Sequence, residues 1–259
     1  MTARKYGLSL DRIIGAEIVT ADGKIRNVNR RRDANLFWAL RGAGGGNFGI
    51  VTKFRFRLFD ASNQYIWVVK QYNWDRIREI LLIWQQFIAS DLSNSIGTAF
   101  SKSGHTLSTF TVGFVINEEN VDDAENHLML IRNFFPNITE SDISRGSYMD
   151  YINSSSSPFW SKGKTAQFYF KTKGFYVSKA WNETDVEIFV SQFETHPVLE
   201  FLFNMYAGAI SAPIRTSTAF VHRTSLFSAY FKLVLNVESD GTIEETRIRG
   251  KEYEQELND

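Results

Sequence analysis

Gly42-Ala43-Gly44-Gly45-Gly46 places four glycines in five residues, and Asn47-Phe48-Gly49 carry the chain on to a strongly apolar run that starts at Ile50. No other stretch limits the possible folds so sharply. Glycine has no Cβ, so its backbone can enter left-handed conformations and approach a neighbouring group closely, and a series of free N–H groups can cradle an anion. A flexible linker would have polar flanks. Here Leu36-Phe37-Trp38-Ala39-Leu40 lies on one side and Ile50-Val51-Thr52-Lys53-Phe54 on the other, so the glycines are read as held between packed elements. A β-branched side chain at Gly45 is therefore expected to destabilise the chain or block a ligand. No Gly-Lys-Ser/Thr follows, which excludes a Walker loop. The stretch lies after a helix and before a strand, the reverse of a dinucleotide-binding Rossmann turn.

The surrounding pattern is strand, turn, strand, helix. Asp22-Gly23 separates Ala16–Thr20 from Ile25–Val28, a hairpin signal because the turn needs positive φ. Asp33 reads as the N-cap of a helix over Ala34–Leu40 that Gly42 ends. Ile50–Leu58 alternates in the manner of a half-buried strand. Asp60-Ala61-Ser62-Asn63 breaks the pattern, giving a unit over 1–60 and a second over 61–259. In the second, Trp74, Ile77, Leu81, Trp84 and Ile88 fall at helical spacing after Asn73, a candidate cap. Val121, Ala124, Leu128, Ile131 and Phe135 do so before Pro136, and Val186, Phe189, Val190 and Phe193 between Asn182 and Pro197. Strands are expected near 64–71, 96–101, 106–116, 165–173, 199–206, 216–221 and 226–237. Ser154–Ser157 reads as a loop and the charged tail after Thr242 as a frayed helix. The fold class is α+β: a small unit, then a large antiparallel sheet with helices on one face.

Composition narrows the function. Of 259 residues, 43% are hydrophobic, enough for a large core. Lys plus Arg equals Asp plus Glu at 29 each, which argues against nucleic acid and anionic membranes as partners. Arg30-Arg31-Arg32, followed by Asp33, reads as a solvated loop. Without cysteine there are no disulfides or thiolate metal sites. The four histidines show no ligand spacing, so no metal is expected. No window approaches the roughly 18 uninterrupted apolar residues of a membrane helix. Of the remaining polar candidates, Lys171 and Lys173 alternate with Phe170 and Thr172, so one of them faces a substrate or both lie on a solvated face. Tyr148 and Tyr151 read as helix packing.

Several ordered segments resemble berberine-bridge-enzyme-like oxidases of the vanillyl-alcohol-oxidase flavoprotein superfamily. They are Arg4-Lys5-Tyr6-Gly7-Leu8-Ser9-Leu10-Asp11, Ala16–Gly23, Asn35–Gly42 running through the glycine loop to Thr52, Phe170–Lys173, Tyr206–Ile210 and Thr218–Arg223. The resemblance implies part of a PCMH-type FAD-binding domain over 1–60 and a substrate domain beyond. It implies a bound FAD that takes hydride from an alcohol, sugar or similar small molecule. Gly44, Gly45, Gly46, Asn47, Phe48, Gly49, Ile50 and Val51 would lie along the flavin nucleotide, with Asp11 in a turn nearby. The sheet after Ser62 would roof the isoalloxazine ring. The His222-Arg223 pair would be chiefly structural. The family's pyrophosphate-binding loop and flavin-linked histidine and cysteine are expected to be missing before Arg4, and its Tyr- and Asn-bearing stretch after Val237. Where some members carry a catalytic Glu near Tyr206, this chain has Ala207, Gly208 and Ala209, so no catalytic residue is assigned. The expectation is an oxidoreductase fragment inactive alone and prone to self-association; the alternative is a non-catalytic binding or structural module that keeps the fold.

Overall fold

The Asp-Gly hairpin forms as its sequence requires. The computed structural model describes residues 2–60, 62–154, 168–236 and 242–256. Two short helical turns, α1 (Ala3–Tyr6) and α2 (Ser9–Arg12), lead into β1 (Ile13–Val19). The chain reverses into β2 (Ile25–Val28) through Gly23, whose φ is +72°. The Asp22 carboxylate accepts from the Thr20 hydroxyl at 2.5 Å and from the Lys24 N–H at 3.3 Å, closing the turn. Helix α3 (Ala34–Ala39) follows, and β3 (Ile50–Phe56) pairs with the other side of β1 to give an antiparallel sheet in the order β2-β1-β3. Ile13, Ala16, Ile18, Val28 and Phe37 make its core. Two expectations fail here. Asp33 is left-handed (φ 50°) and its side chain caps nothing. β3 is not half-buried: it is an edge strand, and apart from the partly covered Val51 its residues are exposed.

The second sheet has seven strands: β4 (Tyr65–Asn73), β5 (Ile96–Lys102), β6 (Thr109–Asn117), β7 (Ile143–Gly146), β8 (Phe168–Val177), β9 (Leu199–Met205) and β10 (Phe227–Asn236). Their order is β7-β4-β6-β5-β9-β10-β8, and every pairing is antiparallel. Helices α4 (Ile77–Ala89), α5 (Val121–Phe134) and α7 (Glu183–Thr195) bury their apolar stripes on one face. Trp84 anchors that layer. It is fully buried, 5.3 Å from the Phe227 ring and 5.6 Å from Phe100, and its indole N–H donates to Thr98 Oγ1 at 3.0 Å. Asn182 caps α7 by accepting from the Asp185 N–H. Asn73 caps nothing, because a 3₁₀ turn at Trp74–Arg76 intervenes before α4.

On the opposite face α6 (Tyr148–Asn153) sets Tyr151 5.7 Å from Trp67 and Tyr148 5.5 Å from Tyr65, the packing role read for both tyrosines. The charged tail forms α8 (Ile243–Glu256) against β8 and β10. Among the described residues no helix is long and apolar enough to cross a membrane. β5 ends on Lys102, 1% exposed, whose ammonium donates to the carbonyls of Gly104 at 2.6 Å, Leu199 at 2.7 Å and Pro197. Burial pulls this lysine down to about 8, with Glu200 opposing.

One expected strand does not form. Residues 216–221 are irregular, because their backbone carbonyls accept from distant side chains instead of pairing in a ladder: Trp38 Nε1 donates to Thr216 and Arg41 Nη2 to Ser217. The start of the strand expected near 165, the last residue of the one ending at 237 and most of the Ser154–Ser157 loop lie outside the described residues.

Candidate functional site

The glycine loop is pinned at both ends and open in the middle. Gly42 has φ +124°, and a Cβ there would lie 2.6 Å from Phe220 Cβ and 2.8 Å from Phe220 Cα. Gly49 has φ +135°, and a Cβ there would overlap the Val19 carbonyl oxygen and sit 3.0 Å from its carbon. These contacts demand glycine. Between them, Asn47 Nδ2 donates to the Ala43 carbonyl at 2.7 Å and folds the loop back on itself. Gly44 and Gly46 are left-handed (φ +93° and +75°), whereas Gly45 is not, and nothing lies within 4 Å of a Cβ at Gly45 or Gly46. The structure therefore corrects the reading of Gly45 as a strained position. Packing strain belongs to Gly42 and Gly49; Gly45 and Gly46 present backbone to open space. Phe48 is exposed, Ile50 is 73% exposed, and Val51 pairs with Ile18 in the sheet.

Asp11 is not in a free turn. It lies in α2 and grips Arg223: Oδ1 accepts from Nη2 at 2.6 Å and Oδ2 from Nη1 at 2.7 Å, with the arginine side chain 1% and the aspartate side chain 13% exposed. Arg223 also donates to Thr218 Oγ1 at 2.7 Å and the Ile210 carbonyl at 3.1 Å. Arg4, likewise buried, donates to the Tyr206 carbonyl at 2.9 Å and the Leu92 carbonyl at 3.1 Å. These guanidiniums fasten the segment between β9 and β10 to the first unit. Their pairing across more than two hundred positions left no local signal in the sequence.

That segment delivers an aromatic cluster beside the loop. The Tyr176 ring stacks on the His222 imidazole at 3.9 Å and 9°, with Tyr206 at 5.5 Å and Phe220 at 5.7 Å. Strand register decides which face they occupy. Tyr176 pairs with Ser228 and Gly174 with Tyr230, while the adjoining Val177–Phe227 pair points into the helix-covered core. Tyr176, Ser228 and Tyr230 therefore lie on the face opposite α4, α5 and α7. A Cβ on Gly174 would sit 3.1 Å from Tyr230 Cδ1, so the glycine seats that ring. Burial raises the Tyr206 phenol well above its ordinary value, helped by the Tyr176 hydroxyl, and burial raises Tyr176 as well. Both remain protonated donors near neutral pH. Phe220 joins the two halves, covering Gly42 on one side and meeting Tyr176 and His222 on the other.

Lys171 and Lys173 share the strand face of Val177, and they line a groove with Phe193, Phe231 and Leu233 on the helix side. The structure thus turns them away from the tyrosine cluster. Ala207, Gly208 and Ala209 form the tight entry to the crossing segment, where a Cβ on Gly208 would lie 2.7 Å from the Arg4 carbonyl; no ionisable side chain is supplied there. The roles of Tyr176 and Tyr230 were missed in the sequence. Period-two counting back from Val177 and on from Phe227 would have exposed them.

No family model matches the chain. It is 27% identical over 272 residues to a monolignol oxidoreductase of Arabidopsis thaliana, a match covering 95% of this chain and 48% of that protein. It is 33% identical over 118 residues to a chitooligosaccharide oxidase of Gibberella zeae, covering 44% of this chain and 23% of that one. Its fold matches a berberine bridge enzyme structure with a TM-score of 0.79 at 19% identity, over 100% of this chain and 52% of that one. The chain spans about half the length of the relatives it matches along most of its own length. The sequence relatives and the structural neighbours alike are berberine bridge enzyme-like FAD-linked oxidases, and the chain has their fold.

Proposed function

We propose that this chain supplies the flavin-roofing, substrate-facing part of an FAD-dependent oxidoreductase acting on an alcohol, a sugar or a similar small molecule. One observation carries the reading: Phe220 joins the pinned Gly42 end of the glycine loop to a cluster of protonated phenols and an imidazole on the sheet face opposite α4, α5 and α7. Gly44 to Val51 would follow the nucleotide, and the space above Gly45 and Gly46 fits a ligand that lies against bare backbone. FAD would serve as the two-electron acceptor. The chain's own part is positioning. Tyr176 and Tyr206 donate hydrogen bonds to a substrate oxygen, and Tyr230 and His222 stack on its ring or apolar face.

The absence of a carboxylate at Ala207-Gly208-Ala209 favours a second reading, a non-catalytic module that retains the fold. The exposed Phe54, Phe56 and Leu58 beside the unpaired edge of β3 support self-association. The test is flavin binding by the purified chain, followed by its visible spectrum during titration and again after gel filtration. Saturable but weak binding, lost in Gly45→Val and washed off by the column, is expected, with no peroxide formed from sugars or alcohols. If the flavin spectrum is the same with and without the chain at every concentration, the non-catalytic reading stands. Stoichiometric retention with turnover would show that the chain suffices alone.

A further inference from the structure

The arginine run after β2 is exposed, as its sequence suggests, but it does not stand alone. Arg30 and Arg31 meet Arg55 of β3 and Arg57 just beyond it around a cavity of about 490 Å³ also lined by Asp11, Ile13, Ile14 and Asn29. Four guanidiniums thus converge where the lining offers a single carboxylate, and that carboxylate is already engaged by the buried Arg223. Among the described residues none of the four has an acidic partner within ion-pairing distance. In a chain whose formal charges cancel, this is a sharply local excess of positive charge. It extends inward: Arg41 is held below its usual value by burial and then by the charge of Arg30.

The cluster is built as well as charged. Asn29 Oδ1 accepts from the backbone N–H groups of Arg31 and Arg32 at 2.8 and 3.0 Å, which fixes the loop that presents Arg30 and Arg31. Gly15 leaves room for Arg55 to lie across β1, since a Cβ at Gly15 would sit 3.1 Å from Arg55 Nη2 and 3.2 Å from its Nε. Arg55 lies in β3 and Arg57 directly follows it, where its backbone N–H donates to the Arg12 carbonyl at 2.8 Å and holds it beside the sheet. The cavity lies at the opposite end of β3 from the glycine loop, roughly 20 Å away at about 3.3 Å per strand residue.

We propose that this arginine-lined cavity is a binding site for a small polyanion carrying adjacent phosphoryl groups. Guanidinium forks match phosphate oxygens in pairs, and several of them are needed to balance a diphosphate. The volume suits a small ligand and is far too confined for a duplex groove. The same chemistry comes from free pyrophosphate or from the diphosphate of a nucleotide.

The test is isothermal titration of the whole chain with inorganic pyrophosphate, and in parallel with ADP and with orthophosphate, at low and high salt. Saturable pyrophosphate binding is expected, at least tenfold tighter than orthophosphate and weakened by salt. Arg55→Gln/Arg57→Gln and, separately, Arg31→Gln are each expected to lower pyrophosphate affinity at least tenfold. Lys53→Gln, whose lysine pairs with Glu17, should leave it within twofold. ADP binding in step with pyrophosphate assigns the site to nucleotides; binding of pyrophosphate alone assigns it to the free anion. Circular dichroism melts establish that each variant is folded, and Arg31→Gln, in a loop fixed by its backbone, carries the test if the strand variant does not fold. The proposal is overturned if pyrophosphate shows no saturable binding, if Lys53→Gln weakens it as much as the arginine changes, or if a single-stranded oligonucleotide binds more tightly than pyrophosphate.

Discussion

Replacing Gly49 and Gly45 by alanine, one at a time, separates the two roles of the glycine loop. At Gly49 the added methyl meets the carbonyl of Val19, whose residue is paired with Ile50 in the β1–β3 ladder. A non-glycine residue at φ +135° is strained by on the order of 1–3 kcal/mol. Relieving the overlap needs a backbone shift of about an ångström, and overpacking of that kind adds roughly another 1–3 kcal/mol. The sum is about 2–6 kcal/mol, a large share of the ~5–15 kcal/mol that holds a typical protein folded. At roughly 2–4 °C per kcal/mol for a chain of this size, Tm should fall by about 10 °C. Gly45 has an ordinary φ and no atom within 4 Å of its added Cβ. Alanine there removes freedom from the unfolded chain and should be neutral or stabilising by up to ~1 kcal/mol. The two substitutions therefore differ in sign as well as size. Urea unfolding followed by tryptophan fluorescence reads both. The reasoning fails if Gly49→Ala stays within about 1 kcal/mol of the parent, or if Gly45→Ala is as damaging; either result would return the loop to a uniform flexible connection.

Arg223→Met and Asp11→Asn should each destabilise the chain by about 3–5 kcal/mol, because each leaves a desolvated charge without its partner. The double variant should lose clearly less than the sum in chemical denaturation, and strict additivity would mean that the pair is uncoupled. Lys102 is lowered to about 8 against an ordinary 10.5, so above pH 8 the unfolded chain binds a proton that the folded chain has released. Stability from this group should therefore rise with pH between about 8 and 9.5, below the range where unfolded-state tyrosines ionise. Lys102→Met should abolish that rise in urea midpoints measured across the window, and an unchanged slope would remove Lys102 as its source.

What the sequence made legible was local. Asp22-Gly23 announces its hairpin because one backbone conformation is required there. Helices α4, α5 and α7 announce themselves through 3.6-residue periodicity, ended for the latter two near Pro136 and Pro197. Sheet order is another matter. β5 pairs with β9 across about a hundred residues, and nothing within either strand specifies that partner. Residues 216–221 carry the alternation of a strand, yet their carbonyls are taken by Trp38 and Arg41, residues that no window around 216 contains. The glycine loop was legible as a constraint, but not the division of labour inside it: Gly42 is fixed by Phe220 and Gly49 by Val19, contacts that exist only after folding. Tyr176, Tyr206 and His222 come from three separate segments. Arg30 to Arg32 are the exposed run that their sequence suggests, but their meeting with Arg55 and Arg57, two dozen positions on, has no local signal.

The same distinction explains how the candidate site holds its shape. The segment from Ala207 to Leu226 has little core of its own; Ile210 is its fully buried aliphatic side chain. Apolar burial is non-directional and would let such a segment slide. Its position is set instead by directional bonds from charged or polar donors to backbone carbonyls, with Arg4 on Tyr206, Arg41 on Ser217, Arg223 on Ile210 and Trp38 on Thr216. Hydrogen bonds from a charged donor are worth roughly 1.5–3 kcal/mol each, and a planar guanidinium fixes angle as well as distance. Arg223 is closed on its other side by Asp11, so α2 of the first unit and the strand-to-strand crossing of the second share one buried ion pair. Phe220 lies within that crossing. The distance between Gly42 and the Tyr176 ring therefore depends on the arginines behind the aromatic cluster, so that losing any one of them would disturb the loop and the sheet face together.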